Sequence, residues 1–262
     1  MQGQANSVCA MAVTMTVANQ KGGVGKTTTA IHLAAGFARL GYRSLLVDLD
    51  AQANATSVFL EKSPNISDSA HSIFREQRPA NQLSKSTRIQ NLYLLPAVLQ
   101  MAEIETLLAG NVDGFFRLQE SLANSDFDFV VIDCPPNLGL LTVNALIASN
   151  YLVIPMLASK FSLDGIRTIL DTCETVRNRF RSELTVLGAL MTMYDSRTAV
   201  SKLMVDPVAE FLSVFETRIG RSVAVEEAHL MHQTIFEYDP KNRVAIDYEA
   251  LVKEILNGIE KR

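Results

Sequence analysis

Eight residues near the start of the chain, Lys21-Gly22-Gly23-Val24-Gly25-Lys26-Thr27-Thr28, combine three glycines, two lysines and two threonine hydroxyls. Glycines let successive backbone N–H groups turn towards one point, a lysine adds a cation there, and a helix starting at that point adds its dipole. That combination suits the phosphates of a nucleotide. Lys26 is expected to reach the β- and γ-phosphate oxygens, the amides from Gly23 through Thr28 to cradle them, and the Thr27 hydroxyl to sit on Mg²⁺. The usual pattern is Gly, four residues, then Gly-Lys-Ser/Thr. Here Gln20 takes the first glycine's place and an extra lysine, Lys21, follows it.

Three carboxylates are placed to act with this loop. Phe127 to Asp133 is an apolar stretch ending in an acid, and a doubly wound sheet holds its ligands outside the C-terminal ends of its strands. Asp133 is therefore expected to hold Mg²⁺, through water. Asp48 and Asp50 follow a second apolar stretch, Ser44 to Val47, and alternation puts both on one face of the chain. Asp126 and Asp128 lie at the opposite end of their strand and are expected at the surface.

Positioning those groups requires a parallel sheet. Val13–Ala18 reads as a strand running into the glycine loop, and Thr27–Leu40 as the helix after it, closed by Gly41. Between residues 51 and 126 the pattern gives helices near Asp68–Glu76 and Met101–Leu108 and a strand at Leu92–Leu95. The alternation then resumes: strand Phe127–Ile132, helix Leu140–Ala148, strand Tyr151–Pro155, helix Leu163–Phe180, strand Leu184–Met193. Apolar strands alternating with helices predict an α/β fold, a doubly wound, mostly parallel sheet with helices on both faces. Ala245–Ile259 gathers Leu251, Val252, Ile255, Leu256 and Ile259 on one face, which is expected to dock on the sheet. Its polar face is close to neutral, unlike that of a membrane-surface helix.

The 262 residues, 48% of them hydrophobic, suffice for one compact domain from residue 13 to the end, after a loose tail over residues 1–12. A net charge of −4 argues against the uniformly basic surface of a dedicated nucleic-acid binder. Cys9, Cys134 and Cys173 form no Cys-x-x-Cys pair, so neither a disulfide framework nor a zinc site is expected. No apolar run approaches the length of a spanning helix and no signal peptide is visible, which predicts a cytoplasmic protein.

The loop resembles the deviant Walker A motif of the ParA/MinD family of dimeric ATPases. Val131-Ile132-Asp133-Cys134-Pro135-Pro136-Asn137-Leu138-Gly139, Leu140 to Leu146, Thr192 to Thr198 and Phe236 to Pro240 resemble its ParA branch, in order. The resemblance implies a slow, Mg²⁺-dependent ATPase in which Lys21 crosses an ATP-sandwich homodimer to the partner's nucleotide. It implies that Asp50 orients the attacking water and that Asp48 supports the Mg²⁺ shell. Asp48-Leu49-Asp50-Ala51-Gln52-Ala53-Asn54 departs from the family's Asp-x-Asp-Pro-Gln-Gly-Asn at Ala51 and Ala53. Met193 and Tyr194, with the loop near Ile219 to Ser222, would lie beside adenine. Arg197, Lys202 and Arg221 would contact DNA without sequence preference.

The implied task is plasmid or chromosome segregation on the nucleoid with a ParB-type adaptor. Rival readings are a ParA-like ATPase that positions a protein cargo and a MinD-like membrane switch. An iron-protein-like electron carrier and a bacterial tyrosine kinase share the loop but want paired cysteines or a tyrosine-rich tail. With so short a lead before the first strand, an N-terminal helix-turn-helix and operator-specific repression are not expected.

Overall fold

The computed structural model describes residues 12–158, 162–180, 182–198 and 205–261. The expected tail (residues 1–12, apart from Ala12) and Lys202 lie outside them. Seven strands form one sheet: β1 Val13–Val17, β2 Ser44–Asp48, β3 Lys85–Ser86, β4 Leu92–Leu95, β5 Phe129–Asp133, β6 Tyr151–Leu157 and β7 Thr185–Thr192. Their spatial order is β3-β4-β2-β5-β1-β6-β7, all parallel except the short edge strand β3.

Strand parity divides the core. Leu45, Val47, Val130, Ile132, Leu152 and Ile154 point to one face of the sheet, whereas Leu46, Val131 and Val153 point to the other. Both faces are covered, so the central strands read as unbroken apolar runs rather than as alternating ones. On the second face lie α1 (Lys26–Arg39) and the C-terminal helix Arg243–Glu260.

That last helix packs mainly on α1 rather than directly on the sheet. Gly36 permits the approach: a Cβ there would meet Val252 Cγ2 at 2.5 Å. The apolar face predicted from Leu251, Val252 and Ile255 is therefore buried inside the fold. No helix among the described residues is long and apolar enough to cross a membrane.

Several elements differ from the sequence pattern. The expected helix at Asp68–Glu76 is a 3₁₀ turn, Ile66–Asp68, then α3, His71–Glu76. Ser69 interrupts it with an extended backbone and a hydroxyl that donates to the Ile66 carbonyl at 2.7 Å, an alternative to the helical ladder. Met101–Leu108 likewise divides into a 3₁₀ turn, Leu99–Glu103, and α5, Ile104–Leu107.

Short helices that carry too little periodicity to be visible are α2 (Asn54–Phe59), α4 (Ala80–Leu83) and α6 (Arg117–Leu122). After α7 (Leu140–Ala148) and α8 (Ser162–Phe180) come α9 (Val205–Ala209), α10 (Val223–Leu230), α11 (Ile235–Tyr238) and the C-terminal helix, α12.

Candidate active site

Sheet register assembles the carboxylates. Asp133 pairs in register with Asp48 of β2 on one side and with Val17 of β1 on the other. The loop that leaves β1 therefore starts beside two acids at the C-terminal edge of the sheet. The chain moves from β1 out to β2, returns to β5 between them, and places β6 on β1's far side. This is the switch point at which such sheets bind ligands.

The loop itself is fixed by side chains on neighbouring strands. Asn19 donates from Nδ2 to the Pro155 carbonyl at 2.8 Å and accepts the Lys21 N–H at 3.0 Å. Thr192 Oγ1 donates to the Val24 carbonyl at 2.8 Å and lies 3.1 Å from the Met156 carbonyl. Gly23 and Gly25 adopt φ of 68° and 82°, the left-handed region that turns consecutive N–H groups inward. Beyond Gly25 the helix α1 opens with Lys26 and has no side-chain cap, so its first N–H groups stay available to an anion.

Lys26 is buried and donates from Nζ to the Lys21 carbonyl at 2.8 Å. Burial pulls its pKa down, and Asp133 and Asp50 oppose that shift. Lys21 lies close to the start of α8: a Cβ on Gly165 would be 3.7 Å from Lys21 Cε.

The two in-register acids differ in their surroundings. Asp48 accepts from the Thr56 N–H and Thr56 Oγ1, both at 2.8 Å, and from the Asp50 N–H at 3.1 Å. It ties the loop after β2 down. Thr56 Oγ1 in turn accepts the Ala97 N–H at 2.9 Å, extending the tie to the end of β4. Asp133 is fully buried and neither of its oxygens has a hydrogen bond of ordinary geometry, although the Thr27 hydroxyl is near enough to favour the ionised form.

Burial first, and Asp48 second, hold the Asp133 carboxyl well above the usual carboxylate range; burial likewise raises Asp48 to about 6. A buried carboxylate without donors, beside a threonine hydroxyl and a lysine, fits a hard divalent cation. Among the described residues no three His, Cys, Asp or Glu side chains form a cage for a metal.

Asp50 accepts the Gln52 N–H at 2.9 Å and begins a turn that ends with Ala53 at φ 52°, ψ 34°. The path that glycine would take is kept by an alanine in the left-handed region.

A cleft of about 160 Å³ continues from Gly25 and Thr28 to Met193, Gly220, Val225 and His229. Met193 is 45% exposed and lines it. Tyr194 lines only the adjoining, wider cleft of about 840 Å³, is buried, and accepts from Arg218 Nη1 at 2.8 Å. Arg197 and Arg221 meet in that wider cleft, joined by Arg243, a residue the sequence did not single out. Arg197 is paired with Asp195 at 2.9 Å, which holds that carboxyl down at about 2.

Under the narrower cleft, His32 joins α1 to the C-terminal helices. Its Nε2 accepts the Ile235 N–H at 2.9 Å, so Nδ1 carries the proton and donates to the Thr28 carbonyl at 2.7 Å. Its ring stacks on Tyr248 with centroids 4.7 Å apart. Sequence spacing gave no signal for His32, Asn19 or Thr192, because each is fixed by a partner far away along the chain, Ile235, Pro155 and Val24 respectively. Cys134 and Cys173 are both buried free thiols, and burial pushes Cys134 far up and Cys173 to about 11. Neither is set out at a surface where two subunits could share a cluster.

A parallel sheet whose central strand feeds a glycine loop and a helix, with an acid at the tip of the neighbouring strand, defines a P-loop nucleoside triphosphatase. Similarity to known proteins narrows the class further. An AAA domain family model, AAA_31, matches residues 12–186. The chain is 37% identical to the sporulation initiation inhibitor protein Soj of Bacillus subtilis over 91% of this chain and 96% of that protein. It is 36% identical to the chromosome partitioning protein ParA of Myxococcus xanthus, over 92% of this chain and 86% of that one.

Its fold is similar to that of cobyrinic acid a,c-diamide synthase from Mycobacterium smegmatis with bound ATP analog and magnesium. The TM-score is 0.82 at 32% identity, over 95% of this chain and 96% of that chain. The chain belongs to the ParA/Soj family of partition ATPases.

Proposed function

We propose that this partition ATPase is an ATP-timed dimer switch that rides on DNA and is reset by a ParB-type adaptor. The observation that carries the reading is the meeting of Lys26, Thr27 and the unpartnered Asp133 carboxylate at the C-terminal edge of β1 and β5. The triphosphate of ATP lies along the amides of Gly23 to Thr28, with Lys26 exchanging the Lys21 carbonyl for phosphate oxygens. Thr27 and Asp133 would hold Mg²⁺, which when bound would neutralise phosphate charge. Asp48 serves the metal shell indirectly, by fixing the loop that carries Asp50.

Asp50 orients the attacking water, and Lys21 leaves its place beside α8 to reach the nucleotide of a second copy, where it stabilises charge developing on the phosphates. The adenine lies between Met193 and the Ile219–Ser222 loop, with Tyr194 supporting that wall from beneath. Arg197, Lys202 and Arg221 meet DNA phosphates, a contact that weakens with salt. Turnover is slow until the adaptor arrives, after which ADP-bound monomers leave the nucleoid.

Binding of the purified protein to non-specific DNA tests this reading, with ATP, ADP and no nucleotide compared. ATP alone should promote salt-sensitive binding. Asp50→Ala should keep that binding while losing turnover, and Lys21→Ala should lose it. Dimers that form with ATP but ignore DNA would leave the ATPase and remove the DNA-riding cycle.

A further inference from the structure

Between Ile89 and Phe116 the chain has no lysine or arginine, yet it carries Glu103, Glu105 and Asp113; from Cys134 to Ser159 it has no charge of either sign. The fold brings these two segments together. Leu108, Val112 and Phe115 from the first face Leu138, Leu140 and Val143 from the second across an open groove of about 440 Å³.

Val112 is 71% exposed and Leu107, beside the groove on α5, is 52% exposed. Glu103, Glu105 and Asp113 are all exposed. Glu105 stands at the groove wall with its carboxylate over Gly139, close enough that a Cβ there would collide with it.

The groove has a fixed floor. Asn144 of α7 accepts the Leu118 N–H at 3.2 Å and donates to the Gly114 and Leu140 carbonyls at 2.9 and 3.1 Å. These bonds lock α7 to the segment carrying Val112 and Phe115. Large exposed apolar side chains beside a preformed apolar groove mark a protein contact. An acidic rim with no cation in its own segment disfavours nucleic acid and anionic lipid. It also disfavours a two-fold contact with a second copy, which would set the same acids against each other.

We propose that this groove docks a basic amphipathic segment of a partner protein. Apolar side chains of that segment enter between Val112 and Leu140, and its lysines or arginines face Glu103, Glu105 and Asp113. The groove wall includes Leu138 and Gly139, which belong to the loop between Asp133 and α7, so an occupant touches the segment leading from the metal-facing acid. The proposal rests on the reading that a partner times ATP turnover, and it assigns that partner a place and a charge.

The test uses fluorescence anisotropy of labelled peptides with the full chain at physiological ionic strength. One peptide places leucines and lysines on opposite helical faces, a second scrambles the same residues, and a third has glutamate for lysine. The first should bind and the other two should not. Val112→Asp should weaken binding by about tenfold or more, and the Glu103→Lys/Asp113→Lys double variant should transfer binding to the glutamate peptide.

Binding of a fluorescent ATP analogue should be unchanged in every variant, which establishes that each one folds. Equal binding of the scrambled peptide, or indifference to Val112→Asp, would overturn the proposal. So would sedimentation showing that Val112→Asp breaks apart a wild-type oligomer, since a second copy would then fill the groove. Failure of the wild type to bind the ATP analogue would refute the nucleotide reading while leaving the peptide results to decide the groove.

Discussion

Thr192, the last residue of β7, donates its hydroxyl to the carbonyl of Val24 in the phosphate loop at 2.8 Å. The Met156 carbonyl of β6 is 3.1 Å from the same oxygen, so one proton serves two acceptors. The outer strands thereby set the position of a loop that springs from the centre of the sheet.

Thr192→Val keeps the shape and removes the donor. Two carbonyls then lose a partner, a cost of about 1–3 kcal/mol for buried groups left unpaired. Thermal unfolding should move down by several degrees, and titration with a fluorescent ATP analogue should show severalfold weaker binding. Unchanged affinity would mean that the loop keeps its shape without this bond.

Ala53 holds φ 52° at the start of α2, where a Cβ is strained and glycine is not. Ala53→Gly should relieve about 1 kcal/mol of strain, part of it offset by the greater freedom glycine has when unfolded. Urea unfolding should give a midpoint equal to or above that of the wild type. An ordinary exposed alanine changed to glycine would move it down.

Asp48 and Asp133 stand opposite each other in register, but only Asp48 accepts hydrogen bonds of ordinary geometry. Asp48→Ala should therefore destabilise the nucleotide-free protein by about 2–4 kcal/mol through the unpaired Thr56 and Asp50 groups. Asp133→Asn should leave it equally stable or raise its melting temperature, because a neutral isostere replaces a buried carboxyl whose ionised form burial and Asp48 already disfavour. With ATP and Mg²⁺ present the second variant should lose its advantage, since stabilisation by ligand depends on affinity. Matching melting shifts for the two variants would contradict the geometry.

His32 is fully buried and neutral, its pKa lowered by burial to about 3. In the unfolded chain it titrates near the ordinary value of about 6.5. The unfolded state therefore binds more protons between these two values, and stability falls as pH drops through that window while remaining complete above it. The slope from this one residue approaches about 1.4 kcal/mol per pH unit. His32→Asn retains a donor and an acceptor but not the titration, so its denaturation midpoint should fall less steeply between pH 6.5 and 4. Parallel curves would show that other groups dominate the acid transition.

Much of this molecule is legible in its sequence. Leu140–Ala148 and Leu92–Leu95 have the expected bounds, and the glycine loop lies between the strand and the helix that its residues demanded. Strong periodicity and glycine geometry are local properties, encoded by neighbours in the chain. The weaker reading of residues 51–126 has an equally local cause. Helices of four to six residues, such as α2, α4 and α6, are too short to show a period and owe their existence to packing.

The chain by itself determined the chemistry on offer: which residues could hold phosphate, which strands end in acids, and which family's motifs recur. Tertiary structure alone decided how those groups are used. It gave Asp48 three hydrogen bonds and left Asp133 without one of ordinary geometry, turned Tyr194 under the cleft wall while leaving Met193 in the cleft, and brought Asn19, Thr192 and His32 to the loop and its helix. Hydrogen bonding and burial depend on what lies within a few ångströms in space, and in a parallel sheet each strand's neighbours come from distant parts of the chain.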